Sequence, residues 1–412
     1  MKKTTYLCIA ATVACAALTG CKKSVPTAES DPMPQEQQVD LVVWGAAEDE
    51  ALLNQIFESF QEEYRGQADF NITFSPQSES NCMDALMNDL ENGADVFAFA
   101  DDQLSTLVAA GALDSVETAD SIKEANLSEA VHAASVGDTL YAYPLTADNG
   151  YFLYYNKHYF TEADIASLER MLEIAAAQER KVTMDWSSGW YVYSFFGNTG
   201  LEVGLNDDGI TNFCTWNGTE GSIRGTDVAQ SMLTLAESPG FLNATDELFL
   251  KGVQEGTVIA GVSGVWNAVA IEDAWGADYG AARLPSYTCS GQQIQMASYS
   301  GYKLIGVNAY SKNHAWASRL AEWITNEANQ KLRFELRGQG PANKHAAASP
   351  EVQSSPAISA LLSQSEFSRV QRLGGNFWDP VSAFAQNMAA GNPTGQGLQE
   401  QLDKMVEEIT AP

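Results

Sequence analysis

Residues 141–157, YAYPLTADNGYFLYYNK, constrain the fold more than any other stretch of the 412-residue chain. Pro144 has no amide hydrogen and keeps the residue before it extended, so a strand ends there and the chain must turn. The polar run Thr146-Ala147-Asp148-Asn149-Gly150 follows, and the aromatic run 151–156 reads as a second strand. Two readings are open. Asn-Gly between aromatic runs is a hairpin signal. The same residues also suit a crossover that turns a carboxylate, an amide and a glycine free to take φ > 0 toward one small ligand.

The preceding segment alternates strand and helix. Residues 40–44 (DLVVW) form an apolar run, and Leu52, Leu53, Ile56, Phe57 and Phe60 follow at helical spacing. Residues 70–74 are a second strand, Ser80 caps a helix carrying Met83, Leu86, Met87 and Leu90, and residues 95–98 are a third strand. Strands separated by helices predict a mostly parallel sheet with ligand sites at its carboxyl ends, where Phe99-Ala100-Asp101-Asp102-Gln103 falls.

Farther along, residues 161–180 read as one helix. Residues 184–200 crowd Trp186, Trp190, Tyr191 and Tyr193 around Ser187-Ser188-Gly189, more rings than one core layer needs. Helices are expected at 227–236 and 247–254. A strand at 258–261 runs into Ser263-Gly264-Val265-Trp266-Asn267, and the chain returns through residues 281–285 to a strand at 302–307. One amphipathic helix is expected over 314–336, and three more near 356–363, 378–389 and 398–409. Asn206-Asp207-Asp208-Gly209 lacks both obligatory carboxylates of a calcium loop. Gly261-Val262-Ser263-Gly264-Val265 is one residue short of a nucleophile elbow. Neither motif argues for a metal or a catalytic serine.

Length predicts two or three domains. The N-terminus is distinct: Lys2-Lys3, an apolar run to Leu18, then Leu18-Thr19-Gly20-Cys21, the pattern of a signal peptide (1–20) ending in a lipobox with Cys21 as the lipidated residue. Residues 21–39 are then the lipidated cysteine and a Pro-, Glu- and Gln-rich tether. The predicted location is outside the cytoplasm, on the cell membrane through lipid. A formal charge of −30 argues against nucleic acid, whose phosphates it repels, and favours a neutral ligand. Beyond the leader only Cys82, Cys214 and Cys289 remain, so at most one disulfide can form within the chain.

Seven stretches, in order, resemble the maltose-binding-protein family of extracellular solute-binding proteins of sugar ABC transporters. They are the strand with Trp44, the 95–103 strand end, the 141–157 crossover, the Trp190 loop, Gly264-Val265-Trp266, Leu284-Pro285, and Phe377-Trp378. The resemblance implies an α/β, two-lobe periplasmic-binding-protein-like fold with an interlobe hinge and cleft. Lobe one would be 40–146 plus 287–336, and lobe two 147–286 plus 337–412. It implies that Phe99, Trp190, Trp266 and Trp378 stack on sugar faces and that Asp102 and Asp148 accept sugar hydroxyls. Trp44, Glu48 and Asn149 complete the candidate set. Phe99 stands where the family often has Trp, and Gln103 replaces a cation. The implied partners are a carbohydrate and permease subunits, with no cofactor and no metal. A sensing or adhesion lipoprotein is the alternative. A lipid-anchored glycosidase would use the same rings plus a pair of carboxyls at defined separation, and no glycosidase motif accompanies them.

Overall fold

The computed structural model describes residues 37–206 and 208–412. The signal peptide, Cys21 and nearly all of the tether lie outside the described residues. No helix among the described residues is long and apolar enough to cross a membrane.

Two five-stranded sheets organise the chain, each with its own core. The first has the order 69–76, 38–45, 96–100, 303–307, 143–146. Its first three strands are parallel, as the alternation of strand and helix predicts, while the strand Lys303–Val307 runs antiparallel between Val96–Ala100 and Tyr143–Thr146. Helix Glu50–Glu63 buries Leu52, Leu53, Ile56, Phe57 and Phe60 on this sheet. The second sheet has the order 241–243, 181–184, 258–263, 152–156, 279–282. Its strand Phe152–Asn156 is covered on both faces. Leu153 and Tyr155 enter one hydrophobic cluster, Phe152 and Tyr154 another, as the two-residue period of a strand requires.

The strands on either side of residues 147–151 therefore lie in different sheets, and the turn is a crossover. Two further crossings flank it. Residues 300–303 return the chain to the first sheet, and residues after Arg337 carry it to helix Pro356–Gln364, which packs on the second. The three are hydrogen-bonded together: Ala147 N–H donates to Gly340 O (2.9 Å), Asn149 N–H to Gly301 O (3.2 Å), and Gly340 N–H to Asp148 Oδ2.

Several local expectations are corrected. The helix expected over 161–180 begins only at Leu168, because Asp164 Oδ2 is taken by the amide and hydroxyl of Thr161 (3.0 and 2.6 Å), a turn that competes with helix. The helix expected over 314–336 is two, His314–Ile324 and Glu327–Arg337. Asn326 caps the second by accepting from Asn329 N–H at 2.9 Å. The return to the first sheet comes at 301–303, later than the expected boundary at 287. A hairpin, Ser286–Cys289 with Gln292–Gln295, keeps Tyr287, Cys289 and Ile294 in the core of the second sheet. The three described cysteines are free, with burial pushing the Cys82 thiol up to about 12.

Candidate functional site

Strand directions bring the chemistry-bearing loops to two facing rims. On the first sheet the parallel strands end at Pro76, Ala100 and Thr146, and the antiparallel strand begins at Lys303, so Glu79, Asp101, Asp102, Asp148 and Lys303 share one edge. On the second, strands ending at Met184 and Ser263 lead to Trp190 and Trp266, and the strand beginning at Phe152 brings Tyr151. The rims meet. Lys303 Nζ lies 5.5 Å from the centre of the Trp266 ring, the Gln371 amide lies beside Asp102, and Arg372 Nη2 lies 3.3 Å from His132 Nδ1.

The aromatic wall is built from the second lobe. Trp266 and Trp190 are half-buried with ring centres 5.7 Å apart, and Trp190 also packs on Tyr151 at 4.7 Å. Trp266 Nε1 donates to Asp246 Oδ2 (3.0 Å), and Asp246 Oδ1 accepts from Ser263 Oγ (2.7 Å), which fixes the indole plane. Trp190 Nε1 is fully covered and has no hydrogen-bond partner among the described residues. Trp378, half-buried, opens helix Trp378–Ala389 beside Phe377 and Tyr299 (5.0 and 6.3 Å). Gly189 N–H donates to Ser382 Oγ (2.8 Å), locking the Trp190 helix against the Trp378 helix. Gly264 admits the Trp266 ring: a Cβ there would stand 2.1 Å from it. Gly264→Ala is therefore expected to displace the indole at a cost of about 1–3 kcal/mol. A changed tryptophan emission in the unliganded protein, with secondary structure retained by circular dichroism, is the check.

The acids come from the first lobe and the crossover. Asp148 is buried and accepts from Gly340 N–H. Burial lifts it to about 6, against the pull of Thr146, Lys303 and Arg333. Asp102 also rises to about 6 through burial, and its Oδ1 is covered with no hydrogen-bond partner among the described residues, although the residue as a whole is half-buried. Asp101 is pushed up to about 7 by burial, although Tyr302 N–H donates to it at 3.0 Å. A carboxyl raised on folding contributes stability below its unfolded value that is lost as pH rises through the folded one. Asp101→Asn is therefore expected to stabilise the protein relative to wild type at pH 8 and to leave it little changed near pH 4. Urea unfolding midpoints at the two pH values test this.

The structure sorts the expected site residues. Asp102, Asp148, Asn149, Trp190, Trp266 and Trp378 stand along the two rims and the crossover between them. Phe99 is a correction: it is 0% exposed and packs on Phe97 (5.5 Å) in the first core, because a strand covered on both faces buries every ring it carries. Trp44 is half-buried against that same core. Glu48 is exposed, and no hydrogen bond among the described residues ties it to the rims. Its neighbour Asp49 turns inward instead, to Arg333 and Arg337. Gln103, in place of a cation, stitches the loop after the second strand. Its Nε2 donates to Glu79 O and Ser80 O (2.7 and 3.2 Å), and its Oε1 accepts from Met83 N–H (2.9 Å). Of the crowded rings, Trp186 and Tyr191 are core. Sequence reasoning missed Glu79, Lys303, Asp246, Gln371 and Arg372: Lys303 opens an expected strand, but no motif marks any of the five.

Residues 55–360 match the family described as bacterial extracellular solute-binding proteins. A galactooligosaccharide-binding protein of Bacillus subtilis is 26% identical over 389 residues, which cover 89% of this chain and 88% of the relative. A maltooligosaccharide ABC transporter solute-binding lipoprotein of Streptococcus pneumoniae is 26% identical over 81% of this chain and 80% of its own. Among solved structures, a maltose/maltodextrin-binding domain from Bdellovibrio bacteriovorus bound to maltotriose superposes with a TM-score of 0.75 at 19% identity, over 90% of this chain and 99% of that one.

Proposed function

Because this chain belongs to the bacterial extracellular solute-binding proteins, we propose that it binds a neutral oligosaccharide between its two lobes and delivers it to the permease of an ABC transporter. Lipid on Cys21 would hold it at the outer face of the membrane. The observation that carries this reading is the pairing of the Trp190 and Trp266 rings on one rim with the Asp102 and Asp148 carboxylates on the facing rim and crossover. A sugar has an apolar C–H face and a rim of hydroxyls, so flat rings opposite acceptors are its complement. Trp378 extends the wall toward a further sugar residue, and Asn149 supplies an amide beside Asp148.

Magnitudes agree with a transport receptor. Covering ~100 Å² of sugar face at ~25 cal/mol/Å² contributes ~2.5 kcal/mol before ordering costs. Two or three rings with a few hydrogen bonds reach the ~8 kcal/mol of a micromolar dissociation constant, tight enough to capture and weak enough to release. Closure is coupled to the ligand through its better fit to the closed cleft, since a ligand moves such an equilibrium only by its differential affinity. The relatives named above are binding proteins, which favours capture without chemistry.

The test is titration of the purified protein with maltotriose and with galactooligosaccharides, following tryptophan fluorescence and melting temperature and recovering the sugar afterwards. Saturable binding with the sugar intact is expected. Recovery of cleaved sugar would replace the receptor by an enzyme, and a flat response to the whole panel would overturn the carbohydrate reading.

A further inference from the structure

Glu79 and Lys303 form an ion pair at the first-lobe rim that the aromatic and carboxylate set leaves unexplained. Lys303 Nζ lies 3.1 Å from Glu79 Oε2, and the two side chains are only 11% and 12% exposed. The pair is incompletely used. Among the described residues Glu79 Oε1 is covered and has no hydrogen-bond partner, while Lys303, with three N–H groups, makes one hydrogen bond, to Glu79, and lies near Asp148 and Asp49 and against the Trp266 ring of the other lobe.

A purely structural role for the pair would be to pin the loop that carries Glu79. That loop is already pinned by two hydrogen bonds donated by Gln103 Nε2 and one accepted by its Oε1, and by Gln77 N–H to Gly45 O (2.8 Å). Burying two charges is costly and a buried pair is weak support for stability, so its retention at a cleft rim calls for another use.

We propose that Glu79 and Lys303 act as a matched acceptor and donor that read two neighbouring hydroxyls of the sugar residue lying against Trp266, and so determine which oligosaccharide the cleft retains. This rests on the sugar-binding reading above. One hydroxyl donates to Glu79 Oε1, and the oxygen of its neighbour accepts from Lys303 Nζ. Because both groups are fixed on the first lobe while Trp266 belongs to the second, the stacked sugar is gripped from both sides only when the lobes are together. Charged partners make these hydrogen bonds stronger than neutral ones and sensitive to hydroxyl position.

The experiment measures affinities for maltotriose and β-1,4-linked galactotriose, and melting temperatures, in wild type, Glu79→Gln, Lys303→Met, the double variant and Trp266→Ala. Each single variant is expected to lose about 10- to 100-fold in affinity for the preferred probe and to melt lower, Lys303→Met more than Glu79→Gln because Lys303 also faces Asp148 and Asp49. The double variant removes both charges and is expected to melt higher than Lys303→Met without recovering affinity, with the preference between the two probes falling toward one. Recovery of affinity and preference together with melting temperature would make the pair structural and overturn the proposal. If the single variants bind as wild type while Trp266→Ala is weakened, the proposal fails and the sugar reading stands. If wild type binds neither probe and Trp266→Ala behaves the same, the sugar reading fails and this proposal with it.

Discussion

Trp266→Ala is expected to weaken oligosaccharide binding roughly 50- to 100-fold, at the top of the range expected for a single cleft substitution. The estimate follows from ~100 Å² of sugar face at ~25 cal/mol/Å², converted at ~1.4 kcal/mol per tenfold. The fold should survive the change. Asp246 loses the indole N–H but keeps Ser263 Oγ at 2.7 Å and Tyr191 OH at 3.3 Å, so no buried carboxylate is left bare. Trp266→Phe keeps a stacking face and gives up only the bond to Asp246, so it should restore most of the lost affinity. Isothermal titration on the three proteins separates these contributions. If alanine binds as tightly as tryptophan, the ring is not a stacking platform.

The largest stability effect is expected at Arg333. Its Nη1 bonds Asp49 Oδ2 and also Gln339 Oε1 (2.7 Å), and Arg337 Nε reaches Asp49 Oδ1 at 2.9 Å. Asp49 and Arg333 are each 2% exposed. Burial alone would raise Asp49, but the guanidinium of Arg333, with Arg337, outweighs it and holds the carboxyl below its usual range. Arg333→Ala removes the closer partner and should cost about 3–5 kcal/mol, which for a chain of this size lowers the melting temperature by roughly 4–6 °C. Asp49→Asn combined with Arg333→Met should recover much of that loss, because no charge then stays buried alone. The pH signature runs opposite to that of Asp101: stability from Asp49 is present above its unfolded value and lost as pH falls through its lowered one. Scanning calorimetry at pH 7 and pH 3 tests both statements.

Some of this was legible in the sequence and some could not be. Local period located most strands and helices, because apolar spacing reports which face of an element is covered. It could not tell a hairpin from a crossover at residues 147–151. That choice depends on where the strand Tyr143–Thr146 finds its partner, and the partner is Lys303–Val307, some 160 residues away. The ring residues show the same division. Trp186 and Trp190 stand four apart in one aromatic run, yet one is core and the other reaches the rim, which depends on how helix Gly189–Phe196 is rotated against helix Trp378–Ala389. The family resemblance points Phe99 at the ligand by its position, and a strand covered on both faces overrules position. Glu79 and Arg333 give no signal, since a single charge in a polar context reads as solvated until its long-range partner is known, and Lys303, at the start of an apolar strand, reads only as a strand end.

The three adjoining crossings also govern the order in which the molecule can assemble. The first sheet receives its fourth strand only with residues 303–307, after the whole segment that builds the second sheet, so neither half is a continuous length of chain. Contacts of such sequence separation are slow to form, because the intervening loop must be closed before any pairing rewards it. A ribosome or secretion pore delivering the chain from its N-terminus would present strands 38–45, 69–76 and 96–100 with an unpaired edge until some 200 further residues had emerged. Stable folding is thereby postponed until roughly three-quarters of the polypeptide is available, which suits a protein that must stay threadable during passage through a membrane.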